Sequence, residues 1–168
     1  MLIRRKNRMK QLISIMLLLT VSAASFAQPE VKGMVIKPSK YSVTETIDKL
    51  EAVLKKKGIT IVTRWSHEKG AKKVGIPLRP TELLLFGNPK LGSHFFTSAQ
   101  TAGIDLPMKA LAWQDAEGKV WLGYNDPQYI ADRHGITNRA DIVKKMAGAL
   151  NKLSNAATGS GSTTPAAK

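Results

Sequence analysis

The sequence predicts an α/β chain of the α+β type, a two-layer fold whose mainly antiparallel sheet carries helices on one face. Three observations predict it. Residues 42–58 form an amphipathic helix marked at both ends, and residues 108–124 form two strands around a tight turn. Helical and strand patterns also alternate, in the order β-α-β-β-α-β-β-α-α, with that hairpin inside the series. Strands joined by a tight turn run antiparallel, and helices with one apolar stripe need a sheet to cover. A doubly wound parallel sheet is the less favoured alternative.

Ahead of the first element, residues 1–27 read as a cleavable secretory signal. Arg4, Arg5, Lys6, Arg8 and Lys10 form a positive start, and Leu12 to Val21 is an apolar run. Ser25-Phe26-Ala27 then offers small residues to a signal peptidase, so cleavage is expected between Ala27 and Gln28. The run is shorter than the ~20 residues that cross a bilayer as a helix, which makes an uncleaved anchor the weaker reading. With cleavage, 141 residues remain, enough for one core. Five of the 26 Lys and Arg and none of the 12 Asp and Glu lie in the signal, which leaves a net +9. The chain has no Cys, so disulfides, thiol chemistry and a lipoprotein anchor are excluded.

Val31–Ile36 is a short strand candidate. Ser42 and Glu45 then have the spacing of a capping box, followed by Val43, Ile47, Leu50 and Leu54 on one helical stripe. Lys55, Lys56 and Lys57 suit the negative helix end, and Gly58 suits the left-handed position beyond it. Ile59, Ile61 and Trp65 alternate with Thr60, Val62 and Arg64, which predicts a strand with Trp65 on the side of Ile61. Lys69, Lys72 and Lys73 follow as a loop or a short helical face. Thr81–Phe86, with four large apolar residues in a row, predicts a strand covered on both faces. Asn88-Pro89 caps and starts a short helix with Leu91 and Phe95 on one side.

Met108–Gln114 and Lys119–Tyr124 flank the turn Asp115 to Gly118, placing Trp113 and Trp121 to meet across the ladder. Asp126-Pro127 repeats the cap-plus-proline device, and Gly135 closes that helix. A last helix begins near Asn138 with Ile142, Met146, Ala149, Leu150 and Leu153 as its stripe. Residues 28–153 are thus expected to be a single domain. Residues 154–168 are small and polar, and are expected to be a disordered tail.

Most reaction classes lack their parts. Ala71 stands where a zinc-protease helix after His67-Glu68 would place its second His. His67, His94 and His134 share no metal-ligand spacing. No Ser or Thr occupies a nucleophile elbow, and Gly70, Gly75 and Gly87 are too scattered to cradle phosphate. Asp105, Asp115, Glu117 and Asp126 could converge in space, although Asp115 and Glu117 suit a turn and Asp126 a helix cap. The positive charge is dispersed, and only Trp65 lies near any of it, so nucleic acid is not an expected partner.

Three stretches carry a likeness to a known family: Leu78–Lys90, Gly103–Trp113, and Asp115–Pro127 running on through Arg133, His134 and Gly135. They resemble the domain-of-unknown-function 302 family, and with the first helix the likeness covers about residues 31–150. The resemblance implies a two-layer fold with an antiparallel sheet and supplies no reaction. His67 and His134 fall where the family pattern tends to have histidine. Ser93 to Phe96 departs from its smaller aliphatic residues, which marks His94 as a local variation.

The expected function is that of a periplasmic or secreted, non-catalytic protein that binds a small polar or anionic ligand or an anionic envelope surface. The candidate ligand residues are Asn88, Lys90, Tyr124, Asn125, Asp126 and His134, at two strand-to-helix junctions expected to share one cavity. No cofactor or metal is expected. Membrane contact is expected only through an uncleaved signal segment, and oligomeric state is open, a homodimer included. The alternative is an acid–base or metal-assisted enzyme using His67, His134 and Asp126, which requires those three to converge.

Overall fold

The structure, a computed structural model, describes residues 28–160. The signal segment, its cleavage point and the last residues of the tail lie outside them. The described chain is a five-stranded sheet in the order β1-β5-β4-β3-β2, with every neighbouring pair antiparallel. Its strands are β1 (Met34–Ser39), β2 (Thr60–Ser66), β3 (Thr81–Gly87), β4 (Met108–Gln114) and β5 (Val120–Asn125). Its α-helices are α1 (Val43–Lys56), α2 (His67–Lys73), α3 (Pro89–Ser98), α4 (Pro127–Arg133) and α5 (Ala140–Thr158). This is the α+β fold that the sequence predicts. A 3-10 helix, Gln100–Ile104, and the short α2 are additions to the expected order.

Cross-strand register decides which residues meet the helices. Ile61↔Phe86, Arg64↔Leu84, Ala110↔Tyr124 and Ala112↔Leu122 pair on the helix-bearing face. There Leu84, Phe86, Met108, Ala110, Ala112 and Leu122 are buried beneath Ile47, Leu50 and Leu54 of α1 and Met146, Leu150 and Leu153 of α5. On the other face Leu83, Leu85, Leu111 and Trp113 are half-buried. Trp113 and Trp121 are partners there, as expected. Asp115 ties off their hairpin: Oδ2 accepts from Trp121 Nε1 at 2.6 Å, and Oδ1 accepts from the amides of Glu117 and Lys119. Those bonds, that from Trp121 foremost, hold its carboxyl below the ordinary aspartate value.

The capping box of α1 forms as expected. Ser42 Oγ accepts from Glu45 N at 3.2 Å, and Glu45 Oε2 accepts from Ser42 N at 3.2 Å. All four residues of the expected stripe are buried.

Four expectations need correction. β1 is Met34–Ser39 rather than 31–36, because Gly33, at φ 78°, turns the chain immediately before pairing begins at Met34↔Asn125. The stripe of α5 is Val143, Met146, Leu150, Leu153 and Ala157, with Ile142 and Ala149 only half-buried. The domain does not end at 153: α5 continues through Ser154 to Thr158, and Ala157 and Thr158 are fully buried. Its last turns are held by polar bonds that an apolar pattern cannot reveal. Lys37 Nζ donates to Asn151 Oδ1 and Asn155 Oδ1 at 2.6 Å, and Lys40 N to Thr158 O at 3.1 Å.

The fourth correction lies in β2. Its register slips between Ile61 and Thr63, so Val62 is the extra residue of a β-bulge. A bulge reverses the facing of everything after it. Arg64 therefore turns toward α1, where Asp48 and Glu82 accept from it, and Trp65 turns away from the core and stands 56 % exposed. The alternation written in the sequence would have placed Trp65 with Ile61.

Candidate functional site

Strand direction sorts the expected site residues into two ends. β3 and β5 both run antiparallel to β4, so Gly87 and Asn125 finish at the same end of the sheet, where β4 begins. β2 runs against β3, with Thr60↔Gly87 and Ser66↔Glu82, and so finishes at the other end. Both strand-to-helix junctions consequently lie together. His67 lies a strand length away, roughly 20 Å for seven residues.

Within the first end the groups separate again. Asn88 Oδ1 caps α3 by accepting from Lys90 N at 3.0 Å, and Asp126 Oδ1 caps α4 by accepting from Gln128 N at 2.8 Å. A cavity of about 260 Å³ opens beside the first junction. It is lined by Asn88, by Val62 of the bulge, by Leu91 and Phe96 of α3, and by Met146 and Leu150 of α5. Asn125, Asp126, Tyr124, Lys90 and His134 are not among its walls. The two junctions share an end but not a cavity, because the 3-10 helix and the start of β4 stand between them. Tyr124 is in the core, 4 % exposed, and burial pushes its phenol above the ordinary tyrosine value.

The cavity is a product of local sequence. The bulge aims Val62 toward α3, and Gly92 leaves one position of α3 without a side chain. A Cβ built there would meet nothing nearer than Phe96 at 4.0 Å. Apart from Asn88, Thr60 and Ser93, the walls are apolar residues and glycine. Such a surface can hold a short aliphatic chain or a ring, and offers no acid or base to act on it.

His134 belongs to a different constellation, which sequence reasoning did not assemble. Its Nε2 lies 2.8 Å from Asp105 Oδ2 and its Nδ1 lies 3.0 Å from Thr101 Oγ1. Arg133 Nη1 donates to Asp105 Oδ1 at 3.1 Å. The side chains of His134 and Asp105 are only 7 % and 10 % exposed. A hydroxyl–imidazole–carboxylate chain can relay a proton, but a catalytic relay needs a reactant seated against it. The cavity lining passes through Leu106 and Pro107 without including Thr101, His134 or Asp105. These bonds tie the 3-10 helix and Asp105 to the end of α4. The signal was present in Asp105 and His134, but they are 29 residues apart and no local spacing joins them.

The expected alternative site does not assemble. His67 is exposed on α2 at the far end, His134 is buried against Asp105, and Asp126 is occupied as a cap. His94 is exposed on α3. Among the described residues no three His, Asp or Glu side chains gather as metal ligands.

The family model described as "Domain of unknown function DUF302" matches residues 35–153. Curated relatives from Brucella suis and Brucella abortus, each named "Fluoride-specific ion channel FluC 1", are 45 % identical over 113 residues. The match covers 67 % of this chain but only 44 % and 42 % of those proteins, so the chain spans less than half their length. The solved structure of an uncharacterised conserved DUF302 protein from Bacillus stearothermophilus superposes with a TM-score of 0.61. It is 20 % identical, and the match covers 77 % of this chain and 98 % of that one, which shows a common fold.

Proposed function

This chain belongs to the DUF302 family, a domain of unknown function, and on that premise we propose an exported, non-catalytic protein that binds a small amphipathic ligand. The ligand's apolar part enters the cavity beside α3. The carrying observation is the cavity itself. Protein interiors pack to the density of organic crystals, so an unfilled apolar space beside a well-packed core favours an occupant. At about 260 Å³ it is a little smaller than ordinary ligand clefts, which suits a short chain or a single ring. The polar part of the ligand stays at the mouth near Asn88. The +9 balance that remains after the signal attracts an anionic head.

Export rests on the pattern of residues 1–27, and mass spectrometry of the protein from the cell envelope should find Gln28 as its first residue. Binding is tested with 1-anilinonaphthalene-8-sulfonate displaced by decanoate. The native protein should enhance the dye's fluorescence and release it to decanoate. Gly92→Leu should abolish both effects. A Cβ at this position meets nothing nearer than 4.0 Å and the change replaces a poor helix former, so folding should be retained, which circular dichroism checks. Equal dye binding by this variant would place the dye elsewhere and remove the cavity from the argument.

A second reading rests on the curated relatives, whose printed name is that of a fluoride-specific ion channel. Among the described residues no helix is long and apolar enough to cross a membrane. In this reading the domain serves beside a fluoride channel, and more than half of each relative lies outside the match. Deleting the gene should then lower fluoride resistance, whereas the first reading expects no change.

A further inference from the structure

We propose that the cleft at the other end of the sheet binds an anionic saccharide, with a sugar ring stacked on Trp65 and its negative group held by Lys69 and Lys73. The cleft, of about 520 Å³, lies where β2 turns into α2, and the N-terminal part of α1 contributes Thr44 to its wall. It is separate from the apolar cavity and is argued from different residues.

The platform comes first. The Val62 bulge turns Trp65 outward, and the indole stays 56 % exposed although it is among the largest apolar groups in the chain. The ring's Cζ2 edge lies near α2 at Gly70, 4.0 Å from where a Cβ would stand. The exposed indole presents a flat surface, which suits the apolar C–H face of a sugar ring.

The charges come second. Lys69 adjoins Gly70 and Lys73 lies one turn further, so both ammonium groups project from the helical turn that supports the ring. Among the described residues no carboxylate forms an ion pair with either. The third cation of the cleft, Arg64, is already engaged: Glu82 Oε2 lies 2.6 Å from Nη2, and Asp48 accepts from Nη1. The two lysines are therefore the cations available to a ligand. Glu68, together with the hydroxyls of Thr44 and Ser66, completes the wall with groups that can bond sugar hydroxyls.

Glu68 favours a saccharide over single-stranded DNA, because it can accept hydrogen bonds from sugar hydroxyls, which a deoxynucleotide backbone does not offer, whereas Glu82 is already bound to Arg64 and Thr44. The cleft also offers one aromatic platform, where single-stranded nucleic acid is held on several in succession.

Calorimetric titration of the protein beginning at Gln28 tests the proposal, with tetragalacturonate, glucosamine 6-phosphate and neutral methyl-esterified tetragalacturonate as probes. At least one anionic sugar should bind more than tenfold tighter than the neutral one, and the winner distinguishes carboxylate from phosphate. Trp65→Ala should weaken binding at least tenfold and Trp65→Phe less than threefold. Lys69→Gln with Lys73→Gln should weaken it at least tenfold and flatten its salt dependence. Circular dichroism confirms that each variant is folded. No binding by either anionic sugar, equal binding by the neutral one, an unchanged Trp65→Ala variant, or tighter binding of an eight-residue oligothymidylate would each overturn the proposal.

Discussion

The two ends of the sheet are built from different material. At the end where β3 and β5 finish, helix starts are capped by Asn88 and Asp126, a buried His134–Asp105 pair braces the loops, and an apolar cavity remains. At the end where β2 finishes, α2 buries none of its own residues and Trp65 stands in solvent between lysines. Val74, Ile76 and Leu78, in the connection after α2, are 71 %, 58 % and 44 % exposed. One residue joins the two descriptions. The bulge at Val62 lends its side chain to the cavity and reverses the facing of Trp65. The difference teaches that the rigid end is specified by packing and the open end by what is left unpaired.

The comparison breaks first at Gly33. Its φ of 78° is strained for any other residue, and a Cβ there would overlap the ring of Tyr129. Gly33→Ala should cost roughly 3 kcal/mol or more, read from urea unfolding, because left-handed strain adds to overpacking. Asp105→Ala leaves His134 and Arg133 without their acceptor. It should cost about 1–3 kcal/mol, with faster amide exchange in the 3-10 helix and α4 but not in α2. A smaller effect is expected at the capping box, where Ser42→Ala removes the acceptor of Glu45 N and should cost about 1 kcal/mol. An unchanged unfolding midpoint would mean that the cap adds nothing to α1.

The last effect concerns pH. Lys37 is half-buried beneath α5 among carbonyl and amide oxygens, and burial lowers its pKa from 10.5 to about 8. Below about pH 8 the ammonium is present in both states, and the folded one bears its desolvation. Between about 8 and 10.5 the unfolded chain binds more protons than the folded one, so this group makes stability rise with pH. Lys37→Met should remove that rise between pH 7.5 and 10 while leaving the rest of the titration in place. An identical pH profile in the variant would show that Lys37 does not sense its burial.

The elements legible in the sequence were those with local grammar. The capping box at Ser42 and Glu45, the turn at Asp115–Gly118 and the two proline helix starts are each decided by neighbours within four residues. What escaped was decided by partners far along the chain. The end of α5 depends on Lys37, 114 residues from Asn151. The bulge in β2 is invisible in an alternating pattern, since Ile61, Val62 and Thr63 read equally well in either register. For the candidate site, sequence placed both junctions and named Asn88. The cavity wall draws on β2, α3, the start of β4 and α5 together, and no single stretch announces it.

The central claim, that the capped end holds a ligand in its apolar cavity, is tested most directly by amide chemical-shift mapping during titration with decanoate. Saturable shifts should gather on Gly87–Phe96, Leu106–Met108 and the Met146–Leu153 stretch of α5, while Ser66–Lys73 at the opposite end stays still. Shifts centred on α2, or none at concentrations that displace the dye, would contradict it.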